Sequence, residues 1–318
     1  MAAAIALSQR SRGRTTPNPN VGCILLNAHG HIVGRGWTQL GGRPHAEAMA
    51  LDQAAGAARG GVALVTLEPC AHHSHRGPCC TDLLIEAGVK RVVIAATDPD
   101  ARTNGQGIAK LRDAGIEVEA GLLASEARRA MAGFFMRQSR ARPFVTLKLA
   151  TSLDGCIALR DGTSQWITGP AGRAHGHLER ARHDLILVGR GTYDADQPRL
   201  DVRLPGLEAR SPTRILLTSK PQAPEGWTAI QQPCHIGTLT GDHLLIEGGA
   251  QTAAAFIATD LVDRLLLYRA PILIGGGRQG LGDIGLTHLV DAHGRWALRD
   301  SCSFGPDRLE VYERTRAE

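Results

Sequence analysis

The residues of this chain best suited to chemistry are His45, Glu47, Cys70 and the pair Cys79 and Cys80. An imidazole and two thiolates suit Zn²⁺, and three protein ligands leave the fourth position open to a water, as in catalytic zinc sites. A water bound in that way ionises near neutral pH. Glu47 stands two residues after His45 and is not needed as a ligand, so it is a candidate proton shuttle. These residue types predict the hydrolytic removal of an amine.

The spacing of these residues supports that chemistry. The order His-x-Glu followed by Pro-Cys is the signature of zinc deaminases, and Pro69 and Cys70 come just after the apolar run Val62–Leu67. A free cysteine is often only a small buried apolar residue, but a closed structural site is also disfavoured because it needs a fourth ligand. Adjacent cysteines rarely both reach one tetrahedral metal, so Cys79 and Cys80 are alternatives for the third ligand. Substrate contact or solvent exposure is the preferred interpretation for the nearby histidines His72, His73 and His75.

Alternating strand and helix patterns position these residues. The Ala-rich segment 44–58 lacks breakers and predicts a helix with His45 and Glu47 in its first turn. A second helix over 81–87 is opened by Cys79 or Cys80 and closed by Gly88. Both metal-binding segments are thus predicted at helix N-termini, where the positive end of the helix dipole favours thiolates. Further strands are predicted at 21–27, 31–37, Val62–Leu67, Arg91–Ala96 and 116–119, and further helices at 108–114 and 125–136.

Chain length and composition indicate two α/β domains. A chain of 318 residues exceeds the usual size of one domain. The polar, basic, proline-terminated segment 137–143 is interpreted as a linker, which gives domains at 1–140 and 143–318. In the second domain, strands are predicted at 144–150, 184–188, 214–218, 243–247 and 264–270, with a helix at 253–257.

The composition also restricts the compartment and the partners. Seven cysteines without a small-scaffold pattern argue against a disulfide framework and for a reducing compartment, interpreted as the cytoplasm. The apolar start of the chain is interpreted as a first helix, and no segment resembles a membrane span. A net charge of +5 permits an anionic ligand. Nucleic acid is not expected as a partner because the basic residues are scattered and only 4% of residues are aromatic.

Three glycine-bearing turns in the second half are candidate ligand sites. Gly248 and Gly249 lie between a strand and a helix, where backbone N–H groups could bind a phosphate. Gly189 and Gly191 form a second turn at a strand end, where backbone could approach a cofactor. The segment 275–280 formally matches the dinucleotide fingerprint, but no helix is predicted after it, so a plain loop is the preferred interpretation.

Over nearly its whole length the chain resembles the bifunctional deaminase and reductase family of riboflavin biosynthesis. The resemblance implies a cytidine-deaminase-like αβα domain followed by a dihydrofolate-reductase-like α/β domain. It implies deamination of a phosphoribosylamino-diaminopyrimidinone, then reduction of its ribosyl group with NADPH, by an enzyme that is a homo-oligomer. The segments that carry it are 17–22, 44–47, 66–73, 98–99, 147–155, 164–168 and 247–249.

The resemblance assigns roles to matching positions. Zn²⁺ is held by His45, Cys70 and Cys80 or Cys79, with Glu47 as the catalytic proton shuttle. NADPH contacts are implied for Ala150, Trp166, Thr192, Asp196 and the turn formed by Gly249, Ala250, Gln251 and Thr252. Substrate contacts are implied for Ser164, Arg180, Leu200, Arg203 and Glu247.

Some side chains near the second site allow two interpretations. Arg180 and Arg203 suit a guanidinium clamp on the substrate phosphate, and the alternative is a solvated surface arginine. Lys148 and Asp154 flank one strand end, where they could orient the ribose or cofactor or simply form an ion pair.

The chain departs from the family pattern at two places. Family members usually have eight residues between the two zinc cysteines, which selects Cys79. The family's distance from the second zinc cysteine to the glycine that ends the helix, Gly88 here, selects Cys80 instead. This choice places one inserted residue in the 72–77 loop, where it is easier to accommodate than in a helix, whose packed face it would rotate by about 100°. Cys80 is therefore favoured. The segment between Ser219 and His243 is also shortened, where family members usually have a further helix.

Two other functions remain as alternatives. A zinc deaminase of a nucleic-acid base or nucleoside, with a non-catalytic C-terminal domain, would use the same His45, Glu47 and Cys70 chemistry. It would need a basic surface with aromatic side chains, which the composition disfavours. In a second alternative, the C-terminal half serves only for oligomerisation or ligand sensing.

Overall fold

The computed structural model describes residues 1–72, 76–220 and 222–316. Contacts divide the chain into two units, Met1–Ala141 and Arg142–Glu318. Each unit has its own cluster of buried apolar side chains, which is expected because a chain of this length exceeds one hydrophobic core. Across the described residues, the helices are all too short or too polar to span a bilayer.

Unit 1 is a mixed sheet with helices packed on it. Within the described residues, its strand order is β2-β1-β3-β4-β5. The pairs that involve β1 are antiparallel, and the pairs β3 with β4 and β4 with β5 are parallel. Its elements are α1 (Ala2–Ser8), β1 (Gly22–Leu26), β2 (Ile32–Trp37), α2 (Ala46–Ala54), β3 (Val62–Leu67), α3 (Cys80–Glu86), β4 (Arg91–Ala96), α4 (Gln106–Asp113), β5 (Glu117–Ala120), α5 (Ala124–Ala130) and α6 (Ala132–Arg140).

Two glycines of β2 set the position of helix α2. A Cβ at Gly34 would lie 2.1 Å from the carbonyl oxygen of Ala50, and a Cβ at Gly36 would lie 1.9 Å from that of Ala46. Backbone therefore packs directly on backbone, which only glycine permits. The facing residues of α2 are small and fully buried. This close packing fixes the first turn of α2, which carries His45 and Glu47.

The segment 137–143, predicted as a linker, contains the boundary between the two units, and its first part is helical. Helix α6 continues to Arg140, and Arg142 is buried in an ion pair with Asp263, with Nη1 and Oδ2 2.7 Å apart. Basic side chains in the last turn of a helix interact favourably with its dipole. The polar composition therefore reflects the end of an exposed helix.

Unit 2 is built on a mainly parallel sheet. Among the described residues the strand order is β10-β9-β8-β11-β6-β12-β15-β14, with antiparallel pairing only from β12 to β14. The central strands β8 and β11 are buried along their whole length, as expected for parallel strands covered on both faces. The elements are β6 (Phe144–Thr151), β7 (Cys156–Ala158), α7 (Pro170–Arg180), β8 (Leu185–Gly189), α8 (Arg190–Asp196), β9 (Thr213–Leu217), β10 (Thr228–Ile230), β11 (His243–Ile246), α9 (Ala250–Ala258), β12 (Arg264–Arg269), β13 (Arg278–Gln279), β14 (Trp296–Phe304) and β15 (Asp307–Arg314).

Candidate active sites

Three potential metal ligands converge in unit 1: His45, Cys70 and Cys80. Nδ1 of His45 lies 3.2 Å from Sγ of Cys80 and 3.7 Å from Sγ of Cys70, and all three atoms lie within 4.8 Å of one another. Tetrahedral zinc with its usual bonds to sulfur and nitrogen separates neighbouring ligand atoms by roughly 3.5 to 3.8 Å. The cluster therefore fits one zinc ion and leaves a fourth position open.

Helix starts hold two of these ligands. His45 is the N-cap of α2, and Cys80 is the first residue of α3. The backbone N–H of Cys80 donates to Sγ of Cys70 at 3.3 Å. The hydrogen bond from the Cys80 thiol is the largest cause that lowers the pKa of Cys70. Burial opposes this effect, and His45 and the backbone N–H of Cys80 add to it. The site thus favours the thiolate that binds a metal.

Cys79 points away from the metal-ligand cluster. Its thiol donates to the carbonyl oxygen of Cys70 at 3.0 Å and lies 2.9 Å from Oγ1 of Thr81. Successive residues at a helix start project about 100° apart, so only one of two neighbours faces a given point. Of the two alternatives that the sequence left open, Cys80 is the one that the structure brings to His45 and Cys70.

Glu47 lies at the wall of a cavity of about 380 Å³ together with His45 and Cys70. Its side chain is only 3% exposed, and burial is the main cause that raises its pKa. The Asn18 amide lies 3.0 Å from Nε2 of His45. Nδ1 is directed at the thiols, and the contact of Nε2 with Nδ2 of Asn18 at the other ring nitrogen helps to orient the ring.

Two buried acidic residues in this cavity received no role from the sequence. Glu68 accepts hydrogen bonds from the backbone N–H groups of Gly105 and Ile108, both at 3.1 Å. These bonds fix the cavity wall at the start of α4. Burial raises the pKa of Asp98 to about 6. Asp98 lies in a segment that carried the family resemblance, and that was its only signal in the sequence.

A second candidate site lies in unit 2 at the carboxyl ends of β8 and β11. Ligands of open α/β sheets bind at this edge. A cavity of about 810 Å³, here called the α9 cavity, opens there beside the N-terminus of α9. Its wall contains most of the predicted NADPH contacts: Ala150, Thr192, Asp196, Gly249, Ala250, Gln251 and Thr252.

The glycines of this site divide into two kinds. A Cβ at Gly189 would lie 2.1 Å from Oγ1 of Thr252, and a Cβ at Gly248 would lie 2.7 Å from Cβ of Thr252. Packing against Thr252 therefore requires both glycines. Gly249 differs, because the nearest atom to an added Cβ is Oγ1 of Thr192 at an ordinary 3.5 Å. Gly249 is the N-cap of α9, whose first N–H groups and dipole suit a phosphate.

The shortened segment between Ser219 and His243 still contributes to the α9 cavity. In place of the helix expected from the family, its described residues form β10 and a 3-10 turn at Pro233–Thr238. Ser219 and Gln231 from this segment line the cavity, together with Thr218 just before it. Sequence patterns gave no signal for these contacts, because β10 has only three residues and its position depends on pairing with β9.

A neighbouring cavity of about 760 Å³, here called the α7 cavity, contains the predicted substrate contacts. Trp166, predicted as an NADPH contact, lines this cavity, and the guanidinium carbon of Arg173 lies 4.7 Å from its ring centroid. The predicted substrate contacts in its wall are Ser164, Arg180, Leu200, Arg203 and Glu247. Residues shared with the α9 cavity are Lys148, Ala150, Ile157, Ser164, Thr192, Asp196 and Glu247. The shared wall is where a substrate and a cofactor would meet.

Arg180 and Arg203 occupy different environments. Arg180 makes a two-point ion pair with Glu247, with distances of 2.7 and 2.9 Å, and donates to the carbonyl oxygen of Asp201 at 3.0 Å. Both partners are mostly buried, with 15% and 12% of their side chains exposed. The side chain of Arg203 is 53% exposed and is the more accessible guanidinium.

Of the remaining sequence candidates, Asp154 has a structural role, and Lys148 lines both cavities. Asp154 accepts hydrogen bonds from Oγ of Ser152 and from the backbone N–H groups of Ile274 and Gly275. Lys148 instead has its Nζ 5.8 Å from the ring centroid of Tyr268. The glycine-rich segment 275–280 begins at one of these contacts, and its residues Arg278–Gln279 form the short strand β13. Only its first part is therefore the loop that the sequence favoured.

Comparisons with known proteins agree with both sites. Residues 1–96 match the family model described as the cytidine and deoxycytidylate deaminase zinc-binding region. Residues 143–233 and 235–309 match the RibD C-terminal domain. Riboflavin biosynthesis protein RibD of Escherichia coli (strain K12) is 37% identical, over 96% of this chain and 96% of that protein. The chain belongs to the RibD family. RibD of Mycobacterium tuberculosis (strain H37Rv) is also 37% identical, over 97% and 95% of the two chains.

Solved structures of RibD extend the similarity to the whole fold. RibD of Acinetobacter baumannii is similar with a TM-score of 0.88 and 33% identity, over 99% of this chain and 98% of that one. The Thermotoga maritima protein, described as a diaminohydroxyphosphoribosylaminopyrimidine deaminase/5-amino-6-(5-phosphoribosylamino)uracil reductase, gives 0.89 and 31%, over 99% and 97%. The predicted RibD family, α/β fold class, deaminase and reductase activities and cofactors Zn²⁺ and NADPH are confirmed.

The buried ion pair of this RibD-family chain should make its stability depend on acid pH. Although burial raises the pKa of Glu247, the Arg180 guanidinium dominates and lowers it from 4.5 to about 2. Because the folded pKa is depressed, the pair stabilises unit 2 above pH 4.5, and the stabilisation is lost as pH falls towards 2. The shift corresponds to about 3 kcal/mol.

Replacing Arg180 with Met leaves the buried Glu247 carboxylate without its partner and should lower the free energy of unfolding by ~3–5 kcal/mol at pH 7. Protonation of Glu247 relieves the unpaired buried charge, so the difference in stability between the variant and the unmodified chain should shrink as pH falls. Urea unfolding followed by tryptophan fluorescence from pH 7 to 3 measures both effects. Arg299→Met is the control, because it breaks an exposed pair with Glu313 and should cost less than about 1 kcal/mol. Equal losses of unfolding free energy in Arg180→Met and Arg299→Met would contradict the prediction.

Proposed function

We propose that this chain catalyses two consecutive reactions of riboflavin synthesis. The first is the hydrolytic deamination of 2,5-diamino-6-(5-phosphoribosylamino)pyrimidin-4-one, and the second is the NADPH-dependent reduction of the ribosyl group of its product to ribityl. The observation that carries the proposal is that a zinc-ligand cluster and a pair of adjoining cavities occur in one chain that is similar to RibD over 96% of its length.

In unit 1, His45, Cys70 and Cys80 would hold zinc, which lowers the pKa of a bound water and so supplies a nucleophile at neutral pH. The role proposed for Glu47 is to take a proton from that water and deliver it to the departing amine. Water adds to the amidine carbon, the carbon–nitrogen bond breaks, and ammonia leaves. Glu47 suits this role because its buried carboxylate lies in the same cavity wall as His45 and Cys70.

In unit 2, the turn at Gly249 and the facing Thr192 would bind phosphate groups of NADPH, which supplies the hydride. Reduction of a ribosyl to a ribityl group also needs one proton. The ionisable side chains on the wall shared by the two cavities are Lys148, Asp196 and Glu247. Glu247 is held by Arg180, so its carboxylate is suited to orienting ribose hydroxyls, and Lys148 and Asp196 are the candidates that supply the proton.

A coupled assay tests the proposal. The purified full chain, loaded with zinc, is given the phosphoribosylated diaminopyrimidinone and NADPH, and ammonia release and NADPH oxidation are recorded separately. We expect both signals, with NADPH oxidation delayed until deaminated product accumulates. Ammonia release without NADPH oxidation would support the alternative in which the C-terminal half is not catalytic. NADPH oxidation alone would remove the deaminase assignment.

Assembly and compartment are also part of the proposal. We infer a homo-oligomer from the family resemblance, an analogy that sedimentation velocity can test directly. A cytoplasmic location is supported by the seven cysteines, which all lie in the described part of the chain as free thiols.

The Gly249→Val variant should bind NADPH at least about tenfold more weakly, which corresponds to ~1.4 kcal/mol. Its backbone (φ −70°, ψ 177°) accepts a β-branched residue without strain, so the added methyl groups would occupy cofactor space and leave the fold intact. Quenching of protein fluorescence during NADPH titration gives the dissociation constant.

Gly276→Val is the matched control for that titration. An added Cβ at Gly276 meets no atom within 4 Å, and the residue lies in the glycine-rich loop that only formally matches the dinucleotide fingerprint. NADPH affinity should therefore be unchanged in this variant. Weakened NADPH binding in Gly276→Val together with normal NADPH binding in Gly249→Val would mean that the loop, and not the Gly249 turn, binds the cofactor.

A further inference from the structure

We propose that His177 is a proton-linked part of the phosphate-binding site in the α7 cavity, and that its imidazole takes up a proton when the substrate phosphate engages Arg203. This inference rests on the proposed function, which places a phosphorylated substrate in that cavity. His177 lies on α7 one turn before Arg180 and lines the cavity together with Arg180 and Arg203. None of the sequence patterns assigned it a role.

The contacts of the imidazole connect it directly to Arg203. Nδ1 of His177 lies 3.2 Å from the carbonyl oxygen of Asp201 and 3.3 Å from the backbone nitrogen of Arg203, and Nε2 lies 3.4 Å from Nε of Arg203. The neutral imidazole accepts from Arg203 in either tautomer: with its proton on Nε2, Nδ1 accepts from the backbone N–H of Arg203. With its proton on Nδ1, it donates to Asp201 and Nε2 accepts from the Arg203 guanidinium. In this form His177 holds the more exposed of the two arginines at the cavity wall.

Protonation reverses the role of Nε2. An imidazolium donates from both nitrogens and accepts from neither. It would keep the bond to the Asp201 carbonyl, and it could no longer accept from Arg203. The Arg203 guanidinium then keeps only its longer contact with the Asp201 carboxylate, which lies 3.7 Å from Nε and is itself paired with Arg199, so it can turn to a phosphate. Nε2–H becomes a second donor. Charge-assisted bonds of this kind are among the stronger hydrogen bonds in proteins.

The charges around His177 keep it neutral until an anion arrives. Burial, Arg180 on the same helix and Arg203 on the loop after α8 lower the pKa of His177, and the Asp201 carbonyl and Glu247 after β11 oppose them. The Glu247 carboxylate is already paired with Arg180, so it compensates little. A phosphate dianion beside Arg203 adds two negative charges and reverses this balance.

The sign of the resulting pH dependence follows from linkage. The phosphate-bound site carries more protons than the free site, so affinity rises as pH falls. The affinity stops rising at the pH at which His177 is already protonated in the free protein. Below about pH 6, protonation of the phosphate itself lowers the affinity. Affinity should therefore decline between about pH 6.5 and 8.5.

Isothermal titration calorimetry with ribose 5-phosphate as the probe tests the inference on the full, zinc-loaded chain. Titrations at pH 7.5 in two buffers of different ionisation enthalpy give the number of protons taken up. We expect on the order of one proton per phosphate in the unmodified chain and close to none in His177→Gln. The glutamine can still donate to Asp201 and accept from Arg203, so it preserves the neutral contacts and removes only the titration.

Two further measurements make the test decisive. The binding heat that is lost in Arg203→Met comes from the α7 cavity, because this change does not affect binding of the probe to unit 1. His177→Gln should bind the probe about tenfold more weakly than the unmodified chain at pH 6.5 and equally at pH 8.5.

The outcomes separate the inference from the function on which it rests. Equal proton uptake in His177→Gln and the unmodified chain overturns the role of His177 alone. If the probe binds without any dependence on Arg203, phosphate is not bound here and the inference falls with that placement. In that case ammonia release and NADPH oxidation in the coupled assay still decide the proposed function independently.

Discussion

Glu47→Gln should lower the rate of ammonia release on the order of a thousandfold while zinc remains bound. The amide is nearly the same size as the carboxylate, so the buried position tolerates it, but it cannot accept a proton from water or return one to the leaving amine. His45, Cys70 and Cys80 are unchanged, so one zinc ion per chain should remain. Ammonia assays and metal analysis by mass spectrometry measure the two quantities.

Two controls accompany that variant. NADPH oxidation by Glu47→Gln should be normal when the deaminated intermediate is supplied directly, because Glu47 belongs to unit 1. Glu68→Gln changes a second buried carboxylate of the same cavity that is bonded to backbone N–H groups. It should lose ~1–3 kcal/mol of stability and retain ammonia release. Normal ammonia release by Glu47→Gln would refute the assignment of Glu47 as proton shuttle.

Cys80→Ser should abolish zinc binding and ammonia release, and Cys79→Ser should leave both nearly unchanged. Removing one of three protein ligands weakens a zinc site by far more than tenfold, because a serine hydroxyl is a poor ligand in place of a thiolate. The thiol of Cys79 donates to the carbonyl oxygen of Cys70, lies 2.9 Å from Oγ1 of Thr81 and accepts from Nζ of Lys110, and a serine hydroxyl can likewise donate and accept. Competition with a chromogenic chelator gives the zinc affinities of the two variants.

The two cysteine variants control for each other, because they make the same chemical change at adjacent buried positions of one helix start. A general effect of serine on folding should appear in both, and it can be followed by circular dichroism. Zinc loss in Cys79→Ser together with zinc retention in Cys80→Ser would mean that the start of α3 is shifted by one residue.

Local chemistry explains why the metal site could be predicted from sequence. His45, Glu47 and Cys70 are defined by residue type and short spacing, and these do not depend on distant parts of the chain. The choice of Cys80 followed from the distance to Gly88, because inserting a residue into a packed helix would rotate its buried face. The structure places Gly88 at φ 67°, where it ends α3.

Helices with few apolar residues were harder to predict than the metal site. The segment 137–143 was predicted as a linker; it contains the boundary between the two units, and it also forms the end of α6 and a buried contact of unit 2. Helix α7 was not predicted, because two internal glycines and few apolar residues give it weak helix propensity and its packing stabilises it instead.

By itself, the sequence determined the zinc chemistry, the α/β character of both halves and the family, because each depends on residue types within short segments. Only the tertiary structure decided which groups face one another across long separations. Arg180 meets Glu247, 67 residues away, and His177 meets Arg203 across 26 residues. Burial and strand order set such pairings, and neither is encoded in local spacing. The same physical reason turns Cys79 towards a carbonyl oxygen and leaves Cys80 at the metal site.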